Sequence, residues 1–189
     1  MNRSDIPNII TIIRIGLVVP VVVALLYEQF TIALILFAVA GISDGLDGYL
    51  AKHYNWRSRL GSILDPFADK LLLVSTYIAL AWIALLPTWL VTAVIARDLL
   101  IALGALAYHF LIGQYEMTPS MISKINTFAQ IMLGIAIVFS MSVLPLPELA
   151  LNVLVYFVFA STVLSGLDYI WIWGVKALRH NQNKQPRHK

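Results

Sequence analysis

The sequence predicts an all-α, polytopic membrane protein of six transmembrane helices with both termini cytoplasmic. Composition is the first reason: 60% of the 189 residues are hydrophobic and only 12% are charged, half the roughly one quarter found in soluble domains. Mean hydropathy is +0.82. The second is the pattern, because apolar runs of the ~20 residues that cross a bilayer recur without the polar alternation of strands. The third is charge placement. Lys and Arg gather on alternate connections only, as in cytoplasmic loops.

The expected spans are about 8–27, 31–52, 61–85, 88–112, 120–143 and 148–174. The first retains Arg14 and has no clear small-residue cleavage site, so it reads as a mature span rather than a signal peptide. It also lacks the extended Arg/Ser-rich character of a mitochondrial presequence. The second ends in Ser43–Lys52, and the polar loop His53–Leu60 leads into the third. The fourth carries Arg97 and Asp98, and the fifth follows Pro119. The sixth runs into a basic tail, with Arg179–Lys189 expected to be frayed and solvated. Short connections and the absence of a linker or repeat make residues 1–189 one bundle domain.

Arg3, Lys52, Arg57, Arg59, Lys124 and the tail lie on one side; connections around Tyr27–Thr31, Leu86–Thr88 and Ser142–Glu148 contain no Lys or Arg. This orientation puts the Asp-bearing loop at the cytoplasmic face. Topology-setting charge and attraction to anionic lipid account for the net charge of +3, so no nucleic-acid partner is expected. Cysteine is absent, which excludes thiol and disulfide chemistry. A bacterial cytoplasmic membrane is the expected location.

Asp44, Asp47, Asp65 and Asp69 fall within 26 residues of an apolar region. Carboxylates there are costly without a partner. Asp44 and Asp47 are three apart and Asp65 and Asp69 four apart, so each pair shares a helical face. An antiparallel hairpin brings the faces together, and four such groups need cations between them. Oxygen-only donors suit two hard divalent cations, Mg²⁺ or Mn²⁺, a platform for displacement at phosphorus. Gly45, Gly48 and Gly61 leave room for close approach of a ligand, and Lys52 is placed to neutralise a diphosphate. The competing reading makes the four aspartates helix caps or partners of Lys52, Arg57, Arg59 and Lys70.

The string Asp44-x2-Asp47-Gly48-x2-Ala51-Lys52-x8-Gly61-x3-Asp65-x3-Asp69 resembles the signature of the CDP-alcohol phosphatidyltransferases. Lys52 departs from it, standing where that family usually has Arg. Ile6-Pro7-Asn8-x2-Thr11-x2-Arg14 extends the similarity to the amino terminus. The resemblance implies that Asp44, Asp47 and Asp65 hold the metals. Asp69 would be the general base, also touching the second metal. Asn8, Gly48, Lys52, Ser58 and Gly61 would bind CDP-diacylglycerol. It also implies a homodimer.

In members of that family using glycerol 3-phosphate, the segment entering the fifth helix looks like Gly-Lys-x-Lys-Thr, and a further basic residue follows the Arg of helix four. Here Asn126 and Ala105 stand at those positions. Ser123-Lys124-Ile125-Asn126-Thr127 is instead similar to the CMP-forming cardiolipin synthases of the family. Their acceptor is the neutral glycerol head of phosphatidylglycerol. Arg97, Lys124 and Asn126 are the expected acceptor residues. The alternative is a phosphatidylglycerophosphate synthase using glycerol 3-phosphate, with Arg97 and Lys124 on its phosphate. A remoter one is a divalent-cation transporter, against which stand the rim position of the aspartates and the lack of repeated halves.

Overall fold

A computed structural model describes residues 6–54, 61–112 and 120–184, with the side chains of 6–9, 47–53, 61–66, 107–112 and 173–184 excepted. Among the described residues there are six helices and no strand: α1 (Ile6–Leu26), α2 (Phe30–His53), α3 (Gly61–Trp82), α4 (Thr88–Ile112), α5 (Met121–Ser142) and α6 (Glu148–Lys184). Thr88–Leu106, Met121–Ser142 and Glu148–Ile172 are long and apolar enough to cross a membrane; Ile10–Leu26 and Phe30–Leu46 are shorter apolar helices.

The helices begin within a few residues of the expected spans, because hydrophobic length sets both. Two ends differ. α6 continues to Lys184, so residues 179–184 of the expected frayed tail are helical. Lys, Arg and Gln there are good helix formers; the apolar run stops before the helix does. α3 stops at Trp82 rather than Leu85. There Leu85 N–H donates to Leu80 carbonyl (2.9 Å) and Ala84 N–H to Ala81 carbonyl (3.1 Å), with Ala84 at φ 59°. This is a Schellman cap built on a residue other than glycine. α1 ends the same way, with Gln29 N–H on Ala24 carbonyl at 2.7 Å and Glu28 N–H on Leu25 carbonyl at 2.9 Å, and Glu28 at φ 56°. α5 opens on a Ser120 side chain that accepts from Ser123 N–H, satisfying one orphan donor of its first turn.

α1 packs on both α2 and α3, α5 on α6 and α2, and α4 on α6. Each seam follows the 3,4 spacing that keeps one helical face inward. In α1 the buried stripe is Thr11, Arg14, Val18, Val21, Leu25. In α5 it is Ser123, Asn126, Gln130, Leu133, Ile137, and in α6 Val155, Val158, Thr162, Ser165, Tyr169. The stripes are polar near the end bearing the aspartates and apolar toward the other. The apolar cluster joins Val21, Leu25, Tyr77, Leu80, Leu90, Val94, Leu133 and Val158 among others, and close packing of these side chains holds the helices together where lipid surrounds them. At that far end Trp89 stands edge-on to Phe159, ring centroids 5.1 Å apart, tying α4 to α6.

Candidate active site

The site is built where α1, α2 and α3 meet. Arg14 lies on the inward stripe of α1 and is 1% exposed, whereas Asp44 and Asp69 are 50% and 53% exposed. Its Nη1 is 2.6 Å from Asp44 Oδ1 and donates to Asp69 Oδ1 at 2.9 Å. A guanidinium stays charged at any physiological pH, and burying it requires paired anions. Two half-exposed carboxylates from different helices provide them. Arg14 is therefore turned into the bundle and does not reach outward to the membrane interface.

Two oxygens from two helices converging on one cationic point fit a hard divalent cation in donor type and in placement. Asp47 and Asp65 lie one helical turn from Asp44 and Asp69 on the same helices. Asn8, Asp47, Gly48, Lys52, Gly61 and Asp65 are described only as helical backbone, and Ser58 lies outside the described residues. Among the described residues no group of three acidic, His or Cys side chains gathers as a metal site.

Below the carboxylates runs a cavity of about 170 Å³, lined by one face of each of α2, α3 and α5. Asp44 and Asp69 stand with Arg14 at its polar end, and Phe37, Leu72 and Tyr77 line its apolar part. Gly134 faces this space: a Cβ there would sit 3.9 Å from Tyr77 Cε2 and 4.0 Å from Thr76 Cγ2, in ordinary contact. A volume of this order holds a benzene-sized apolar group, equivalent to a short stretch of hydrocarbon chain.

The expected acceptor residues lie elsewhere, at the polar seam of α4, α5 and α6. Arg97 is 6% exposed, and its Nη1 donates to Asp98 Oδ1 at 2.7 Å. Its Nη2 donates to Ser123 Oγ at 2.6 Å, and its Nε to Ser165 Oγ at 3.2 Å. Asp98 reaches back to α3, accepting from Lys70 Nζ at 2.6 Å. Asn126 is fully buried, its Oδ1 accepting from Ser161 Oγ at 2.8 Å and Thr162 Oγ1 at 2.9 Å. Lys124 is exposed. The structure thus brings Asp44 and Asp69 together, and sets Arg97 and Asn126 into helix contacts.

Two sets of contacts escape the sequence reading, the pairing of Arg14 with Asp44 and Asp69 and the chain from Lys70 through Asp98 to Arg97. Arg14 had a signal, since it occupies a stripe position three after Thr11 and four before Val18. The Lys70–Asp98–Arg97 chain had none, because its links join residues on separate helices.

The sequence model of the CDP-alcohol phosphatidyltransferases matches residues 4–175, which takes in five of the six helices whole and most of α6. The chain belongs to that family. It is 37% identical over 148 residues to human cardiolipin synthase (CMP-forming), covering 70% of this chain and 49% of that protein. With the protein of that name from Streptomyces coelicolor it shares 46% over 79 residues, 41% of this chain and 37% of the other. With the CDP-diacylglycerol–glycerol-3-phosphate 3-phosphatidyltransferase of Bacillus subtilis it shares 33% over 187 residues, 87% of this chain and 93% of the other. The chain spans about half the length of the human and rat cardiolipin synthases it matches.

Proposed function

We propose that the chain transfers a phosphatidyl group from CDP-diacylglycerol to the glycerol head of phosphatidylglycerol, giving cardiolipin and CMP. The observation that carries the reading is a pair of carboxylates at the mouth of an apolar slot, inside a chain of this family. A substrate with an anionic head and hydrocarbon tails matches both ends of that space. Similarity to proteins named cardiolipin synthase supports the acceptor, as do Asn126 and Ala105 in place of basic residues.

Asp44, Asp47 and Asp65 would hold two divalent cations, Mg²⁺ or Mn²⁺, whose chemistry when bound is Lewis-acid polarisation of the diphosphate and stabilisation of departing CMP. Asp69 takes the proton of the acceptor hydroxyl. Asn8, Gly48, Lys52, Ser58 and Gly61 would bind the donor. Lys124 faces outward for an acceptor phosphodiester, while Arg97 and Asn126 contribute by fixing Ser123, Asp98 and Lys70 and the α5–α6 seam. The enzyme would work as a homodimer in a bacterial cytoplasmic membrane, its carboxylates on the cytoplasmic side.

Full alignment with the Bacillus subtilis enzyme favours a second reading, glycerol 3-phosphate as acceptor, with Lys124 on its phosphate. Purified protein given CDP-diacylglycerol, Mn²⁺ and each acceptor separately decides between them. Cardiolipin and CMP from phosphatidylglycerol are expected. Product from glycerol 3-phosphate alone would overturn the cardiolipin reading.

A further inference from the structure

About two helical turns beyond Asp69, the apolar slot meets polar groups that nothing satisfies. Thr76 lines the slot and is buried; among the described residues its Oγ1 has no hydrogen-bond partner. Gln130 on α5 is fully buried, and neither its Nε2 nor its Oε1 has a partner. Buried side-chain polar atoms are paired in the large majority of cases, and leaving them unpaired is costly. Val has nearly the shape of Thr, and Leu nearly the volume of Gln, so packing alone does not call for either polar group.

The two side chains stand at neighbouring depths. Gly134 is level with Thr76, whose Cγ2 lies 4.0 Å from where a Gly134 Cβ would be. Gln130 precedes Gly134 by one turn on α5, toward the polar end of that stripe, and its backbone carbonyl accepts from Tyr77 Oη at 2.9 Å. Thr76 lies roughly 10 Å beyond Asp69 along α3, and Gln130 falls between those levels. Gly134 brings no side chain to screen the Gln130 amide from the slot.

We infer that Thr76 and Gln130 recognise the ester linkages of the donor's acyl chains. In a diacylglycerol diphosphate the ester carbonyls sit a few bonds from phosphorus, between the anionic head and the hydrocarbon. With the head at Asp44 and Asp69, that is the depth of these two side chains. An ester carbonyl accepts hydrogen bonds, and the Thr76 hydroxyl and the Gln130 amide supply donors. The χ1 rotation that puts Oγ1 of Thr76 in the place of Cγ2 turns its hydroxyl toward Gly134. Hydrocarbon contacts alone leave a lipid free to slide along a slot; hydrogen bonds at one depth set how far it sinks, and so where its phosphorus rests. This rests on the donor proposed above and adds that the chain reads how the acyl chains are linked.

The test sets ester against ether linkage, using the full chain in mixed micelles with Mn²⁺. CDP-diacylglycerol and CDP-dialkylglycerol of equal chain length are compared as donors, each with phosphatidylglycerol and with its dialkyl analogue, by CMP release. The wild-type protein is expected to favour the diacyl donor by about tenfold in kcat/KM, the scale of one or two ordinary hydrogen bonds, whichever acceptor is present. Thr76→Val and Gln130→Leu should each lose on the order of fivefold with the diacyl donor and less than about twofold with the dialkyl donor. Neither should lower the melting temperature without lipid, because neither side chain loses a hydrogen bond. Thr76→Val carries the test if Gln130→Leu does not fold.

Three results overturn the inference: equal use of the two donors by the wild-type protein, a preference that follows the linkage of the acceptor, or a loss in the variants that is the same with both donors. The last is what an interior water or a packing role would give. Failure of the proposed function shows separately, as absence of CMP release from either donor with phosphatidylglycerol or glycerol 3-phosphate. Calorimetric titration with the two donors reads the linkage preference even then.

Discussion

Lys70 Nζ sits 2.6 Å from Asp98 Oδ2, so the residue following the proposed base is tied to α4. Asp98 binds Arg97 through its other oxygen, at 2.7 Å. One carboxylate therefore joins the carboxylate helices to the α4–α6 half. Asp98→Ala should leave the buried side chain of Arg97 without its anion. Removing one partner of such a charge-assisted pair costs about 2–3 kcal/mol. The loss is to be read as a lower melting temperature in detergent, and Asp98→Glu should recover part of it.

Asp69→Asn should reduce turnover by roughly 10²–10⁴-fold, the contribution of a positioned general base. Binding of CDP-diacylglycerol should persist, since the change acts on the transition state. Calorimetric titration with the donor alongside CMP release checks both. Near-normal turnover would remove Asp69 from the base role.

Gly134→Leu should fill the slot beneath the carboxylates. The first added carbon meets Tyr77 and Thr76 at ordinary contact distance, so the backbone need not move, while the rest of the side chain takes space that hydrocarbon would use. The KM for the lipid substrates is expected to rise by about tenfold, the scale of a few lost methylene contacts. Melting temperature should change little. An unchanged KM for both donor and acceptor would show that neither lipid enters there.

Ala84→Gly should stabilise the chain. Ala84 holds φ 59° at the end of α3, a conformation that costs an L-residue roughly 1 kcal/mol and glycine almost nothing. Thermal unfolding should shift upward with turnover unaltered, because the turn lies at the far end from Asp69.

Most of the fold was legible because hydrophobic length, which the bilayer dictates, is written along the chain. The start of α3 at Gly61 and of α4 at Thr88 follow from it directly. The end of α6 does not, since residues 175–184 are helical by propensity and not by apolarity. At the site, Asp44 and Asp69 were legible from paired spacing. Their partner Arg14 stands 55 residues before Asp69, and no local periodicity reports a contact across that separation. Asn126 shows the opposite difficulty. Its type suggests a substrate hydroxyl, yet the hydroxyls it meets are those of Ser161 and Thr162.

The graded seams of α5 and α6 have a mechanical consequence. One end of the bundle is locked by interdigitated hydrocarbon, where any sliding opens voids. The other is latched by serine, threonine and asparagine, whose bonds can be traded for equivalent ones by small rotations. Sliding of α5 against α6 is therefore resisted by packing at one end and by hydrogen-bond geometry at the other.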